Sequence, residues 1–195
     1  MIYIGINGLG RIGKCILIQL INNNFKKIKI KAINIPDFNI ENLENYLNND
    51  STHKYLNNFK IEIINENLCK INNHLIHILN NRDASKLNWR SLNIEYVIDS
   101  TGVYLTQDKC FQHNVDYVIM CAPPKDNTNQ YVYNVNHDLY DGESIISNAS
   151  CTTNCISPVL KFLDTNYKIL NANFTTIHAT TASQNTIDTN RFKNR

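Results

Sequence analysis

Short apolar runs alternate with segments of helical periodicity from the first residues of the chain. The run IYIGIN at residues 2–7 is followed by a glycine and predicts a strand, and the apolar positions of residues 11–22 have helical spacing. Residues 28–35 alternate between apolar and polar positions, which indicates a second strand, and residues 40–49 are typical of a short helix. The chain therefore begins as strand, helix, strand, helix.

The next part of the chain predicts three short strands that include a hairpin. Apolar residues recur in the runs at residues 60–64, 67–71 and 74–78. The pair Asn72-Asn73 separates the last two runs and is typical of a tight turn. We therefore expect the second and third of these strands to pair antiparallel.

Continuous apolar runs predict strands that are buried on both faces. EYVIDS at residues 95–100 and DYVIMC at 116–121 have this character, which is typical of a parallel sheet. A polar helix is predicted between them at residues 106–114, and SIISNA at 144–149 predicts a further strand. Strands that alternate with helices in this way predict an α/β fold with a doubly wound, Rossmann-type sheet.

A change of pattern near Ala149 predicts a domain boundary. The last strand gives way there to an apolar helical run at residues 156–163, and TTIHATT at 175–181 predicts a strand after that helix. We expect a first domain over residues 1–149 and the start of a second, α+β domain over residues 150–195.

Charge and cysteine content argue against several classes of function. Charged residues make up 18% of the chain and the formal net charge is +2, so there is no electrostatic basis for a nucleic-acid or membrane partner. The N-terminus lacks the features of a signal peptide, and no run approaches the ~20 apolar residues of a membrane helix. The six cysteines lack metal-type spacing, so we expect no metal site, reduced thiols and a cytoplasmic location.

A glycine-rich turn lies between the first strand and the first helix. Gly8, Gly10 and Gly13 fit the pattern G-x-G-x-x-G in the strand–turn–helix setting that dinucleotide binding requires. In that pattern the first glycine permits the tight turn, the second lets a pyrophosphate approach the backbone, and the third lets helix and strand pack closely. The N–H groups of Arg11 and Ile12 are then expected to face the phosphates at the positive end of the helix.

The ribose-binding position after the second strand is unusual. Dinucleotide domains place an acidic residue about 20 residues after the glycines, where it holds the adenosine ribose. Ile35 occupies that position, and its side chain cannot accept a hydrogen bond. Asp37 stands two residues later, and two interpretations of it remain open: a substitute ribose ligand or the N-cap of the next helix.

SNASCTTNC places a candidate nucleophile where a strand ends and a helix begins. Cys151 falls at the start of the predicted helix, where partial positive charge stabilises a thiolate. Cys155 lies one turn later on the same face, and we expect it to be a structural thiol. His178 is a candidate base for Cys151, although a lone histidine of this kind is also typical of a core position.

Several short motifs stand in one order along the chain. They are YIGINGLGRIGK, the segments at residues 50–53, 81–83, 100–103, 122–123 and 136–137, SNASCTTN and IHATTAS. In order and spacing they resemble the glyceraldehyde-3-phosphate dehydrogenase family. SNASCTTN followed by HATT is specific to that family and to the closely related erythrose-4-phosphate dehydrogenases. The resemblance runs from residue 1 to about residue 188 and covers only the N-terminal part of a family chain.

The resemblance implies a role for each residue of the candidate catalytic site. Cys151 is expected to attack the aldehyde carbon, and His178 to raise the thiolate content and act as base during hydride transfer. Inorganic phosphate then attacks the resulting thioester and forms an acyl phosphate. Ser150, Thr152 and Thr181 are expected to contact the phosphorylated aldehyde or the attacking phosphate.

The resemblance also implies NAD as cofactor and assigns both domains. Residues 1–149 are expected to form the NAD-binding domain and residues 150–195 the truncated start of the catalytic domain, and family members are homotetramers. The expected cofactor-binding residues are Gly8, Gly10, Arg11, Ile12, Gly13, Ile35, Arg82 and Cys121.

Four positions depart from the family pattern. Ile35 stands where the family usually has Asp, which bears on ribose binding and on the preference for NAD over NADP. Cys121 replaces a usual Ser or Thr, Asn134 a usual Gly, and Asn185 a common Lys.

Three functions are compatible with these observations. The first is oxidative phosphorylation of glyceraldehyde 3-phosphate in glycolysis, the second is a decayed or non-catalytic dinucleotide-binding fragment, and the third is oxidation of erythrose 4-phosphate. Because much of the family's catalytic domain lies beyond the resemblance, we expect the 195-residue chain alone to bind NAD weakly and to have little dehydrogenase activity.

Overall fold

One eight-stranded sheet organises residues 1–23, 25–49, 58–179 and 181, which are the residues that this computed structural model describes. The strands are β1 (Ile2–Asn7), β2 (Ile28–Asn34), β3 (Ile61–Asn65), β4 (Leu68–Ile71), β5 (His74–Leu79), β6 (Tyr96–Asp99), β7 (Tyr117–Met120) and β8 (Ile145–Ser147). The α-helices are α1 (Arg11–Asn22), α2 (Leu43–Asn48), α3 (Gln107–Cys110) and α4 (Cys151–Tyr167). The motif segment at residues 50–53 and the departure at Asn185 lie outside the described residues.

The strand order is β3-β4-β5-β2-β1-β6-β7-β8, which confirms the predicted doubly wound, Rossmann-type sheet. In this spatial order the six strands β5, β2, β1, β6, β7 and β8 are parallel, and β3 and β4 extend one edge as antiparallel strands. The direction of winding reverses between β1 and β6, whose last residues Asn7 and Asp99 are paired. Ligands of such sheets bind at the carboxyl ends of the strands beside this reversal.

Aliphatic side chains of β1, β2 and α1 form the main core. Ile6, Leu17 and Ile33 are fully buried. Leu17 and Ile21 are four residues apart on α1 and therefore share the helix face that packs on the sheet. A fully buried tryptophan, Trp89, belongs to a second cluster with Ala32 and Val97. These clusters hold β1 and β2 in place, and the glycine turn follows β1.

Asparagine supplies four of the seven non-glycine residues with positive φ in the described part of the chain. Asn72, Asn93, Asn114 and Asn134 all have positive φ, which asparagine tolerates better than most residues with a Cβ. Asn72 forms the predicted hairpin turn between β4 and β5, which pair antiparallel as expected. Asn134, with φ of 61°, occupies a position where the resemblance has glycine. The asparagine-rich composition is thus partly a solution to turn geometry.

Two predicted elements differ in the structure. The helix expected at residues 106–114 is split into the short α3 and a 3₁₀ turn at Phe111–His113. The strand expected at residues 175–181 does not form within the described residues, because these residues supply no neighbouring strand to complete a ladder. The segment is irregular there, and Ile177 is 99% exposed.

Candidate active site

The glycine turn after β1 has the geometry of a phosphate-binding loop. Gly8 has φ of 88°, which favours glycine, and its N–H donates to the carbonyl of Asn34 at 3.0 Å. A Cβ on Gly13 would lie 2.1 Å from the Gly8 carbonyl oxygen, so only glycine lets α1 approach the turn this closely. Gly10 is the N-cap residue of α1 and has no side chain to cap the helix. The cradle and the uncapped helix start therefore suit a pyrophosphate at this end of α1.

A cleft of about 310 Å³ opens beside this turn, here called the glycine-turn cleft. It is lined by Gly8 and Gly10, by Asn34 and Pro36 after β2, and by Arg82 and Thr101. The cleft thus extends from the phosphate cradle toward the end of β2, where a dinucleotide domain holds its adenosine ribose.

A buried polar network, of which Asn7 and Asn34 line the floor of the glycine-turn cleft, was missed by sequence reasoning. The Asn7 side-chain amide donates to Asp99 Oδ2 at 2.7 Å, and the Asn34 amide donates to Asn7 Oδ1 at 2.7 Å. The His113 ring, which is fully buried, places Nε2 3.2 Å from the same Asp99 oxygen. The network links the carboxyl ends of β1, β2 and β6. The sequence does contain a signal for this network, because three apolar strands end in polar residues.

The structure settles where the two residues expected near the ribose lie. Ile35 does not line the glycine-turn cleft, because its side chain packs into the main core and is only 9% exposed. Asp37 is not the N-cap of the next helical segment; Asn39 is, through a hydrogen bond from the Glu41 N–H. Asp37 instead accepts hydrogen bonds from Arg82. The role expected for Ile35 through its side chain therefore has no support in the geometry.

Helix α4 begins at Cys151, as the sequence predicted. Ser150 caps the helix through a hydrogen bond that its Oγ accepts from the Thr153 N–H at 3.0 Å. Ala149 precedes the cap with φ of 57°, so the chain turns sharply between β8 and α4. The thiol of Cys151, which is exposed, therefore lies directly after this turn at the positive end of the helix.

His178 completes a thiol–imidazole pair with Cys151. Its Nε2 lies 3.1 Å from Cys151 Sγ, and its Nδ1 donates to the carbonyl of Ala179 at 2.7 Å. This second bond leaves Nε2 to accept the thiol proton or, once protonated, to donate to the thiolate. His178 is exposed, so it is not the satisfied core histidine that the bare sequence also allowed.

The pKa values of Cys151 and His178 are shifted in opposite directions. The hydrogen bond with His178 lowers the pKa of Cys151, the backbone N–H of Thr152 lowers it further, and slight burial opposes both. The pKa of His178 is raised, first by its bond to the Ala179 carbonyl and then by Cys151. These opposite directions favour the thiolate–imidazolium form, in which the thiol is a nucleophile.

The pair opens onto a second cleft of about 630 Å³, here called the thiol cleft. It brings together seven of the predicted site residues, namely Arg11, Ile12, Cys121, Ser150, Cys151, His178 and Thr181. Thr152 lies outside this cleft and lines a neighbouring pocket with Cys151 and His178. Because Arg11 and Ile12 belong to the glycine turn and Cys151 to α4, the nucleotide and thiol regions share one surface.

The remaining cysteines have different environments. Burial, aided by the charge of Asp99, raises the pKa of Cys121 to about 12, so this cleft residue is a neutral thiol. Cys155 was expected to be structural, yet it is exposed and lines the same pocket as Cys151, on a helix of which no residue is buried. All six cysteines are unpaired. Within the described residues, no three His, Cys, Asp or Glu side chains cluster in a way that could hold a metal ion.

A doubly wound sheet, a glycine cradle and a thiol–imidazole pair on a shared surface are the features of the class of dinucleotide-dependent oxidoreductases that use a cysteine nucleophile. Comparisons with known families refine this class. Residues 2–107 match the model of the glyceraldehyde 3-phosphate dehydrogenase NAD binding domain, and residues 150–195 match that of the C-terminal domain. The chain belongs to the glyceraldehyde 3-phosphate dehydrogenase family, and NAD is the cofactor of the matched domain.

Individual relatives have the same family name. The chain is 42% identical over 192 residues to glyceraldehyde-3-phosphate dehydrogenase of Buchnera aphidicola subsp. Schizaphis graminum. It is 38% identical over 192 residues to the cytosolic enzyme of Leishmania mexicana and 38% identical over 190 residues to glyceraldehyde-3-phosphate dehydrogenase 1 of Drosophila melanogaster. These alignments cover 95–96% of this chain and 55–56% of the relatives. The chain therefore spans just over half the length of the curated relatives it matches.

In the described part of the chain, no helix combines the length and the apolar character needed to cross a bilayer.

Proposed function

We propose that the protein acts in the NAD-dependent oxidation and phosphorylation of glyceraldehyde 3-phosphate to 1,3-bisphosphoglycerate, a step of glycolysis. The observation that carries the proposal is the 3.1 Å contact between Cys151 Sγ and His178 Nε2. This contact lies on the thiol cleft, which is also lined by Arg11 and Ile12 of the glycine turn. A nucleophile, its base and a dinucleotide cradle are therefore adjacent, which is what aldehyde oxidation through a thioester requires.

In the first step the Cys151 thiolate attacks the aldehyde carbon, a carbon–sulfur bond forms, and the carbonyl oxygen takes a proton from the His178 imidazolium. The product is a hemithioacetal on Cys151. Neutral His178 then takes the hydroxyl proton back through Nε2, while a hydride leaves the same carbon and a thioester forms. Bound NAD supplies the hydride acceptor.

In the last step inorganic phosphate attacks the thioester carbon, and the Cys151 thiolate leaves. This releases the acyl phosphate and restores the thiolate–imidazolium pair. The hydroxyl groups of Ser150, Thr152 and Thr181 lie near Cys151 on the two adjoining pockets, and we assign them to the phosphate groups of substrate and nucleophile. Ser150 Oγ already caps α4, so it is held in place for this role.

We assign the phosphates of NAD to the cradle of Gly8, Gly10, Arg11, Ile12 and Gly13. The close approach of α1 to the turn, which only glycine at residue 13 allows, supports this assignment. Arg82 and Cys121 are assigned to opposite ends of the cofactor, since they line the glycine-turn cleft and the thiol cleft respectively.

We also propose a division into an NAD-binding domain over 1–149 and catalytic-domain residues over 150–195, a cytoplasmic location and the homotetramer implied by the family resemblance. The matched ranges of the two family models and the start of α4 at Cys151 support the division. The six unpaired thiols support the location.

One feature favours a second candidate, a dinucleotide-binding unit without turnover of its own. No residue of α4 is buried, and the following irregular segment exposes Leu170, Phe174 and Ile177. The catalytic pair is consequently open to water, which hydrolyses a thioester instead of preserving it for phosphate. This second candidate predicts NAD binding without acyl transfer.

A single-turnover experiment distinguishes the candidates. The 195-residue chain is incubated with NAD⁺ and glyceraldehyde 3-phosphate without phosphate, and intact-protein mass spectrometry is combined with NADH absorbance. Although we expect little steady-state activity from the 195-residue chain alone, the proposed function predicts one acyl adduct on Cys151 and an equal amount of NADH in a single turnover. Cys151→Ser should abolish both signals, and Cys155→Ser should preserve both. Absence of adduct and NADH while NAD⁺ binds would favour the non-catalytic unit. If a parallel incubation with erythrose 4-phosphate gives the adduct and glyceraldehyde 3-phosphate does not, erythrose 4-phosphate is the substrate.

A further inference from the structure

His113 is a fully buried histidine to which the proposed reaction assigns no role. It lies in the 3₁₀ turn Phe111–His113 after α3 and does not line the glycine-turn cleft. Its Nε2 is 3.2 Å from Asp99 Oδ2, and neither ring nitrogen makes an aligned hydrogen bond with the described residues. A polar ring buried in this way is costly, so its contact with a carboxylate calls for an explanation beyond packing.

Asp99 connects this histidine to the wall of the glycine-turn cleft. It is the last residue of β6 and is buried. Its Oδ1 accepts hydrogen bonds from the Thr101 N–H at 3.1 Å and the Thr101 hydroxyl at 2.7 Å, and its Oδ2 accepts from the Asn7 amide. Thr101 Oγ1 in turn accepts from the Val103 N–H at 3.1 Å. Asn7, Thr101 and Val103 all line the cleft, so one carboxylate fixes wall residues from β1 and from the loop after β6.

The ring of His113 also supports the cleft through Tyr104. The two ring centroids are 4.8 Å apart and the ring planes are tilted by 56°. The Tyr104 hydroxyl donates to the Arg82 carbonyl at 3.0 Å and accepts from the Ala84 N–H at 2.9 Å. Tyr104 lines the cleft and thus joins it to the loop after β5. His113 therefore contacts two residues that fix different parts of the same wall.

We propose that His113 is a positioning residue for NAD, which holds Asp99 and Tyr104 in place from behind the wall of the glycine-turn cleft; the inference rests on the cofactor site of the proposed function. Because the neighbouring atom is a carboxylate oxygen, Nε2 carries a hydrogen and presents positive charge to it. A buried carboxylate that loses such a partner is left uncompensated. If Asp99 then moves, Asn7 and Thr101 lose their acceptor, and the wall is no longer preorganised for the cofactor.

The test measures the dissociation constant of NAD⁺ by equilibrium dialysis into the millimolar range, together with urea unfolding, on the full 195-residue chain. His113→Leu should raise the constant by about tenfold. His113→Gln, whose amide places an N–H donor near the position of Nε2, should keep the constant within about threefold of the original. Asp99→Asn should also raise it by about tenfold. Adding His113→Leu to Asp99→Asn should change it by less than about threefold, because the partner charge is already gone.

His137→Leu is the matched control. His137 Nδ1 lies 3.8 Å from the Asp138 carboxylate, and the ring centroid is 4.7 Å from that of Tyr133. This histidine therefore has the same kinds of neighbour as His113, but it is exposed and does not line the glycine-turn cleft. Its replacement should leave the constant unchanged.

A purely structural role for His113 predicts a lower free energy of unfolding in His113→Leu and unchanged NAD⁺ affinity of the folded chain; that result overturns the inference. Equal weakening by His113→Leu and His113→Gln also overturns it. If His113→Leu does not fold, nitrogen NMR of the original chain labelled with ¹⁵N-histidine decides: saturating NAD⁺ should shift the ring signals of His113 but not those of His137, and an unshifted His113 overturns the inference. If the original chain binds no NAD⁺, the cofactor site of the proposed function fails and this inference fails with it, whereas NAD⁺ binding that no His113 variant alters removes this inference alone.

Discussion

Cys151 differs from Cys155, the other exposed cysteine of α4, in its position at the start of the helix and in the imidazole beside it. His178 Nε2 is 3.1 Å from the Cys151 thiol, and Cys155 has no such partner among the described residues. Burial raises the pKa of Cys69 to about 11, and burial with nearby acidic charge raises that of Cys110 to about 12. Because the pKa of Cys151 is lowered, its thiolate content near neutral pH exceeds that of these buried thiols, and the thiolate is the reactive form.

Alkylation with iodoacetamide should follow this order. Near neutral pH we expect Cys151 to react about tenfold faster than Cys155, and the buried thiols to react last. Peptide mapping by mass spectrometry after short exposures measures the rates. Equal rates at Cys151 and Cys155 would remove the argument for an activated nucleophile.

The pH dependence of this reaction tests the role of His178 directly. Because the pKa of Cys151 is lowered, its alkylation rate should rise with pH around that lowered value and become constant above it. His178→Asn removes the main cause of the lowering, so the inflection should move to higher pH and the neutral rate should fall by about tenfold. The rate at Cys155 in the same sample is the internal control. An unchanged inflection in the variant contradicts the pairing of Cys151 with His178.

At the scale of elements, the turn between β1 and α1 depends on the absence of one Cβ. A Cβ on Gly13 would lie 2.1 Å from the Gly8 carbonyl oxygen, whereas a Cβ on Gly10 meets nothing within 4 Å. Gly13→Ala should therefore push α1 away from β1, destabilise the fold by roughly 1–3 kcal/mol and weaken NAD⁺ binding. Gly10→Ala is the control, and its loss of stability should be limited to the small cost of alanine at a helix N-cap. Urea unfolding and equilibrium dialysis measure both effects, and equal stability of the two variants would contradict this account of the turn.

Local periodicity was sufficient to predict most elements of the sheet. The range predicted for α1 agrees with Arg11–Asn22, and the Asn72 turn joins β4 to β5 as expected. These elements are determined by neighbouring residues, because side-chain period and turn chemistry act over short distances. The strand expected at residues 175–181 failed for the opposite reason, since a strand requires partners that its own sequence does not specify.

The parts of the candidate site that lie within short sequence motifs could be predicted. The glycine turn and the start of α4 at Cys151 followed from short patterns. The floor of the glycine-turn cleft did not, because the bond from Asn7 to Asp99 joins residues 92 apart in sequence. The resemblance pointed to Ile35 as a cofactor residue, and only the three-dimensional packing shows its side chain in the core.

At the scale of the whole molecule, apolar surface is concentrated on α4 and the segment after it. Phe162 and Phe174 are 63% and 67% exposed, and they share this surface with Val159, Leu163, Leu170 and Ile177. A monomer seldom leaves so many large apolar side chains together in water, because burying each contributes roughly 1.5–3 kcal/mol. By contrast, the face of α1 that packs on the sheet is well covered.

We therefore expect the 195-residue chain to self-associate through this surface as its concentration rises. Sedimentation velocity should show a growing fraction of larger species, and Phe162→Glu combined with Phe174→Glu should reduce that fraction because a charge is costly to bury. Phe111→Glu is the matched control, since Phe111 is also 63% exposed but follows α3. If the control reduces association as much as the double variant, the surface on α4 is not the cause. If association falls only in the double variant while its NAD⁺ affinity is unchanged, the nucleotide-binding sheet and the exposed surface are energetically separate parts of the molecule.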